Sequence, residues 1–171
     1  MSSYMKRINH EYPFPQANSQ DRIIDVVALV CARYRDDGDI AKAMGTHPRQ
    51  GRYYADAAGW LGLIRLSGGY WRAEKTGHLM NSLPPNAQLA LIGRVLSSKP
   101  VFSDVLAHYA AHGDVPGADS VISWIQAESP ELNLTTSRRR ADSIFSWFNF
   151  IRPALAELID DENAERLSFA A

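Results

Sequence analysis

The chain has 171 residues, 46% of them hydrophobic and 22% charged, which fits one globular domain or two very small ones and excludes an intrinsically disordered protein. It contains no run of about 18 apolar residues and no apolar N-terminal stretch, so we expect no membrane span, no signal peptide and a cytoplasmic protein. The single cysteine, Cys31, excludes an internal disulfide, and its apolar helical surroundings predict a buried structural thiol.

The net charge of −1 argues against nucleic acid at first sight, but the charges are unevenly distributed. Residues 46–78 hold five arginines or lysines against two acids, and residues 135–152 hold four arginines against one acid. The field near a surface follows the local charge, so two basic segments in a nearly neutral protein can still attract phosphates.

Capping residues and apolar periodicity predict three helices in the first half, at about 21–34, 40–44 and 47–61. A turn at 36–38 precedes the second helix, which we expect Asp39 to cap. Gly45 ends that helix in a tight turn, Thr46 caps the third helix, and Pro48 occupies its first turn.

A β-hairpin is predicted next, with strands at 63–66 and 70–73 joined by Ser67-Gly68-Gly69, and a short helical segment then runs to about Ser82. A long helix, a short helix, a tight turn and a longer helix form the core of a helix-turn-helix. We therefore predict a mainly α protein with an irregular arm at 1–18 and a winged helix-turn-helix, with a small β-hairpin wing, at 19–82.

Leu83-Pro84-Pro85 marks the end of the first half, and a helical second half at 86–171 is expected to pack with the first as one unit. Its helices are predicted at about 86–98, 102–112, 118–128 and 136–159, the last kinked or split by Pro153, with a terminal strand at 167–169. Both halves contain several helices followed by one that opens with Thr and Arg and ends in aromatics, which suggests a degenerate second winged helix as one interpretation.

The third predicted helix has two different faces. Its apolar face, expected to pack on the preceding helices, comprises Tyr54, Ala57, Ala58 and Leu61. Its polar face comprises Arg49, Arg52, Tyr53 and Asp56, with Gln50 beside them. Arginine can bond guanine and glutamine can bond adenine in the major groove. At the helix start, Thr46 and His47 lie where backbone N–H groups and the helix dipole favour a phosphate.

A solvated face on an amphipathic surface helix is the competing interpretation. DNA contact is favoured by the short helix and glycine turn before this helix, by the absence of acids at its start, and by the following hairpin with Arg72 and Lys75. Trp71, beside Arg72, is either a core residue or a stacking platform, whereas the other tryptophans are expected in the core.

A second basic site is formed by Arg138, Arg139 and Arg140 at the start of the last predicted helix. Three arginines at a helix N-terminus oppose the helix dipole, and a bound phosphate would relieve that cost. The alternative is a solvated or salt-bridged run.

Two stretches carry a family resemblance. Residues 49–64, RQGRYYADAAGWLGLI, resemble the RQ-x-x-YY-x-x-A-x-x-LGL stretch of winged-helix domains that accompany bacterial restriction-modification and phage-defence proteins. Residues 136–147, TSRRRADSIFSW, resemble the T-x-x-RRA-x-T-x-x-SW stretch of the same module. The resemblance spans about residues 21–151 and implies a module that reads DNA, with a separate nuclease or methyltransferase chain as its expected partner.

No catalytic motif is evident. The E-x-K spacing of a PD-(D/E)xK nuclease, a nucleophile elbow and a Walker A sequence are all missing. His108 and His112 are spaced as a helical metal pair but lack an adjacent glutamate and a third ligand, so surface histidines are the simpler interpretation. We predict a protein that is not an enzyme and uses no cofactor or metal.

The sequence therefore predicts non-catalytic recognition of duplex DNA. The predicted contacts are Arg49, Gln50, Arg52 and Tyr53 in the major groove and Arg72, Lys75, Arg138, Arg139 and Arg140 on phosphates. One alternative is a protein-docking or homodimerisation module with the same fold, which the near-zero net charge favours. Another is the specificity domain of a nuclease system whose catalytic chain is separate.

Overall fold

The computed structural model describes residues 19–156 and 158, and this part of the chain is mainly helical with one small antiparallel sheet. The helices are α1 Gln20–Cys31, α2 Asp37–Ala43, α3 Pro48–Trp60, α4 Lys75–Ser82, α5 Pro85–Ser97, α6 Phe102–His112, α7 Ala118–Glu128 and α8 Leu134–Ile151. The strands are β1 Ile64–Ser67 and β2 Tyr70–Ala73, between α3 and α4. The predicted arm at 1–18 and the predicted strand at 167–169 lie outside the described residues.

The described residues divide into two compact units, the first ending at Leu83 and the second beginning at Pro84. The division falls inside the Leu83-Pro84-Pro85 stretch. None of the helices in the described part combines the length and the apolar character that crossing a membrane requires.

The start of α2 differs from the prediction, because residues 36–38 do not form a separate turn before it. Asp36 is the N-cap, and its side-chain oxygen accepts a 2.8 Å hydrogen bond from the backbone N–H of Asp39. Asp39 is therefore capped rather than capping. The extended backbone of Asp36 allows its carboxylate to reach a donor three residues ahead, as N-cap carboxylates do.

A Schellman motif joins α2 to α3. Gly45 has a φ of 64°, its N–H bonds the carbonyl of Lys42, and the N–H of Thr46 bonds the carbonyl of Ala41 at 2.9 Å. Because Thr46 is used to close α2, it does not cap α3 as predicted. His47 takes that place, with Nδ1 accepting a 3.2 Å hydrogen bond from the N–H of Arg49.

The buried face of α3 is built from small residues: Gly51, Ala55, Ala57 and Ala58. A Cβ placed on Gly51 would lie 2.7 Å from the Cβ of Ala41, so α2 and α3 approach as closely as a glycine allows. Tyr54, predicted to be on the packed face, is only half-buried. The packed face therefore lies further toward Gly51 and Ala55 than the apolar pattern indicated.

The hairpin turns through Gly68 and Gly69, whose φ angles of 58° and 82° suit a two-residue hairpin turn. The closing pair is Ser67 and Tyr70. β1 begins one residue later than predicted, because the N–H of Leu63 bonds the carbonyl of Ala58 in a second Schellman motif at the end of α3.

The second unit packs around large side chains. Its fully buried residues include Ile92, Leu96, Phe102, Val105, Val121, Ile125, Ile144, Trp147, Phe148 and Ile151. α8 ends at Ile151 and continues as a 3₁₀ turn at Arg152–Ala154, which confirms the predicted split at Pro153. The described residues of this unit contain no strand, so they offer no counterpart of the β1–β2 hairpin for a degenerate second winged helix.

Candidate nucleic-acid interface

The N-terminal half of α3 presents polar side chains to solvent. Arg49, Gln50 and Arg52 are exposed, and the first turn contains no acidic residue. Tyr53 and Asp56, which share the predicted polar face, are half-buried. The exposed part of this helix half therefore combines two guanidinium groups with one amide.

At the start of α3, His47 has a structural task. Its Nδ1 accepts from the backbone N–H of Arg49, which requires an unprotonated Nδ1 and leaves Nε2 as the ring donor. This cap occupies the Arg49 N–H, one of the backbone donors at the helix start where a phosphate was predicted beside Thr46 and His47. His47 itself remains exposed at the helix start, while Thr46 is half-buried with its hydroxyl 3.4 Å from the carbonyl oxygen of Ala41.

One carboxylate connects α3 to the hairpin. Asp37, the first residue of α2, accepts a 2.8 Å hydrogen bond from Arg52 Nε through Oδ2 and a 2.8 Å hydrogen bond from Trp71 Nε1 through Oδ1. The hydrogen bond and charge of Asp37 raise the pKa of Arg52 above its usual value. Trp71 is 2% exposed, so it is a core residue rather than a stacking platform.

The outer face of the hairpin is cationic. Arg65 of β1 and Arg72 of β2 are paired across the ladder, and both are exposed. Arg65 Nε lies 2.7 Å from Glu74 Oε1, and Lys75 at the start of α4 is exposed. Arg65 was missing from the predicted site, although strand alternation could have placed it opposite Arg72.

A second feature absent from the predicted site is the segment at 33–35, between α1 and α2. The carbonyl of Arg35 accepts a 2.7 Å hydrogen bond from the backbone N–H of Trp71, so this segment runs beside β2. Arg33 has a φ of 74°, unusual for a residue with a side chain, and Tyr34 is 43% exposed. The only sequence signal was the Arg-Tyr-Arg run after an amphipathic helix.

The arginine run of α8 separates into exposed and buried members. Arg138 and Arg139 are exposed, whereas Arg140 is 3% exposed and so cannot serve as the surface phosphate contact that we predicted. α8 begins at Leu134 after an Asn133 cap, which places the arginines in its second turn. The dipole penalty expected at a helix N-terminus is therefore weaker here, since the dipole acts mainly within the first turn. These arginines belong to the second unit, whereas all the other predicted contacts belong to the first.

Other chemistry is sparse in the described residues. The rings of His108 and His112 stack with centroids 4.3 Å apart, and His108 Nε2 lies 3.7 Å from Asp114 Oδ1. Within residues 19–156 and 158, no three His, Cys, Asp or Glu side chains are grouped to hold a metal ion. Cys31, predicted to be buried, is half-buried with Sγ 4.0 Å from the carbonyl oxygen of Gly77, and this burial raises the pKa of the thiol.

Comparison with known proteins adds one relationship. No curated protein and no solved structure matches the chain. A family model described as a domain of unknown function, DUF7226, matches residues 22–155, which is most of the chain. The chain therefore belongs to the DUF7226 family.

Proposed function

We propose that this protein binds duplex DNA through a winged helix-turn-helix, with α3 in the major groove and the β1–β2 hairpin as the wing. The observation that carries the proposal is the exposed, acid-free N-terminal half of α3, which presents Arg49, Gln50 and Arg52 from a helix packed closely on α2. Recognition helices contact base edges through their N-terminal residues.

The order of elements supports this assignment. In the first unit α1 is followed by α2 and α3, which are joined by a tight turn, and then by the hairpin. The backbone N–H of Trp71 donates a hydrogen bond to the carbonyl of Arg35, which ties the segment before α2 to the second strand of the hairpin. Asp37 adds a second connection, because it accepts hydrogen bonds from both Arg52 of α3 and Trp71 of the hairpin.

The side chains divide into two roles. Arg49 and Gln50 are suited to base edges, because guanine offers O6 and N7 to arginine while adenine offers N7 and the N6 amino group to glutamine. Arg72 and Lys75 are suited to phosphates, which position a protein on DNA without reading its sequence. Arg138 and Arg139 remain candidate phosphate contacts of the second unit.

A fluorescence-anisotropy titration of the full chain tests this proposal, with a random duplex at about 50 mM and about 200 mM salt. On the random duplex we expect binding that weakens steeply with salt. On a duplex site selected by the wild-type protein from a random library, Arg49→Ala combined with Gln50→Ala should lower the affinity about tenfold. Arg152→Ala is the matched control, because it removes an exposed arginine of the second unit that has no assigned role. It should change the affinity less than about twofold.

Two results would overturn the proposal. The first is no binding of duplex DNA at the lower salt concentration, particularly if the chain forms a stable dimer, which would favour the docking interpretation. The second is equal binding of the selected site by the α3 double variant and the wild-type protein, which would remove α3 from the interface.

A further inference from the structure

We propose that Asp37 is a positioning residue that aims Arg52 at a guanine, so that the recognised DNA contains a G·C pair opposite Arg52. This inference rests on the proposed function and adds to it the base that one side chain reads. It follows from the geometry of three residues: Asp37, Arg52 and Trp71.

Asp37 is fixed at both of its oxygens. Oδ2 accepts from Arg52 Nε and Oδ1 accepts from Trp71 Nε1, each at 2.8 Å. The indole of Trp71 is 2% exposed and held in the core, and the Asp37 side chain is 26% exposed. Rotation of the carboxylate would break one of these bonds, so Asp37 is a rigid support rather than a mobile surface acid.

That support determines which part of Arg52 can act on DNA. The bond to Asp37 uses the Nε–H of the guanidinium, and the two Nη groups carry its other four donors. The Arg52 side chain is 51% exposed. Two Nη donors that point the same way match O6 and N7 of guanine, which is the commonest specific contact in the major groove. Because Asp37 already restrains the guanidinium, less side-chain freedom is lost when it docks.

The near-zero net charge of the Asp37–Arg52 pair favours base recognition over non-specific attraction of phosphates. Asp37 offsets the positive charge of Arg52, so together they add little to the attraction of phosphates. An ordinary surface salt bridge would have the same net charge, but base recognition would not depend on how it orients the guanidinium. A salt bridge and a positioning role therefore differ in the effect of Asp37→Asn on the base preference. This change removes the charge while an amide oxygen can still accept from Trp71.

Selection of binding sites from a random duplex library, with the full chain and its variants, tests the proposal. Wild-type protein should select a site with at least one guanine position that Arg52→Ala and Arg52→Lys both abolish. Asp37→Asn should lower the preference for that guanine about tenfold, because the guanidinium loses its support. On random duplex, the same variant should bind as tightly as wild type or more tightly, since one negative charge is gone.

Asp39→Asn is the matched control. It removes the charge of another acid in the first turn of α2, and Asp39 is exposed and contacts the Asp36 cap only through its backbone N–H. It should raise the affinity for random duplex as Asp37→Asn does, yet keep the guanine preference. Circular dichroism melts of both variants show whether the first unit remains folded.

The outcomes separate this inference from the proposed function. If wild-type protein binds no duplex, the proposed function is overturned and this inference with it. If wild-type protein selects a site but Asp37→Asn retains the guanine preference, or if Arg52→Ala leaves the site unchanged, only the role of the Asp37–Arg52 pair is overturned. A loss of guanine preference in Asp37→Asn together with unchanged or tighter random binding supports the inference, because simple unfolding would weaken both.

Discussion

The two arginine-bearing helices, α3 of the first unit and α8 of the second, pack through different kinds of side chain. In the first unit α3 packs through glycine and alanine, and Gly51 lies directly against Ala41. In the second unit α8 packs through Trp147 and Phe148, both buried. Both helices carry arginines near their starts, yet Arg49 of α3 is exposed whereas Arg140 of α8 is buried.

This difference shows that an arginine-rich helix start is not by itself a binding surface. The exposure of each arginine depends on where its helix begins and on which face the rest of the unit covers. It also implies that the buried faces of the two helices respond differently to changes in side-chain volume: that of α3 should be sensitive to added atoms and that of α8 to removed atoms.

The largest expected effect is that of Trp147→Ala in the second unit. Trp147 is fully buried, so its truncation should lower the free energy of unfolding by about 3–5 kcal/mol, through lost burial and a residual cavity. Urea denaturation followed by circular dichroism measures this change. Asn149→Ala, at an exposed position of the same helix, should cost less than about 0.5 kcal/mol. A loss below about 1 kcal/mol for Trp147→Ala would mean that this core tolerates a cavity.

Gly51→Ala tests whether the buried face of α3 is sensitive to added atoms. The new methyl group would meet the Cβ of Ala41 at 2.7 Å and force α2 and α3 apart, at a cost of about 1–3 kcal/mol. The same denaturation experiment on Ala41→Gly and on the double variant completes a double-mutant cycle. We expect a favourable coupling of at least about 0.5 kcal/mol, and strict additivity would show that the two residues do not determine the approach of these helices.

Arg140→Ala and Arg138→Ala separate the two kinds of arginine on one helix. Arg140 is buried, so removing its side chain should cost about 1–2 kcal/mol of stability through lost packing of the methylene stem. The exposed Arg138 should cost less than about 0.5 kcal/mol. Thermal melts of the two variants, compared side by side, measure the difference. Equal melting temperatures would contradict the burial of Arg140.

The smallest expected effect is a gain. Arg33, just after α1, has a φ of 74°. Its N–H bonds the carbonyl of Val30, and the N–H of Tyr34 bonds the carbonyl of Leu29. Glycine suits this position of a Schellman motif, so Arg33→Gly should raise stability by about 1 kcal/mol. Arg33→Ala removes the same charge but keeps a Cβ, and it should give no such gain. Equal stabilisation by both variants would point to charge rather than backbone conformation.

Much of the secondary structure could be predicted because its signals are local. Single residues determine three of these features through their backbone preferences. Glycine tolerates the positive φ of the turns at Gly45 and Gly68-Gly69, and proline lacks the N–H that a continuous helix needs at Pro153. The caps were predicted less well. Asp36 and His47 replaced Asp39 and Thr46, because the cap is chosen by the turn geometry that the preceding helix leaves behind.

The candidate site was likewise predictable only where its signals are local. The amphipathic pattern of α3 predicted that Arg49, Gln50 and Arg52 would be exposed, since helical periodicity separates polar from apolar positions without knowledge of the partner helix. The hydrogen bonds of Asp37 to Arg52 and Trp71 were not predictable, because these partners are 15 and 34 residues away in the sequence.

The amino-acid sequence alone was enough to predict a mainly helical protein with one glycine-turned hairpin and a polar, acid-free start to α3, because periodicity and turn chemistry act over a few residues. Tertiary structure alone decided that Trp71 is core, that Arg140 is buried and that Asp37 links α3 to the hairpin. Burial and long-range hydrogen bonds depend on which faces meet in the folded chain, and that is a property of all the packed elements together.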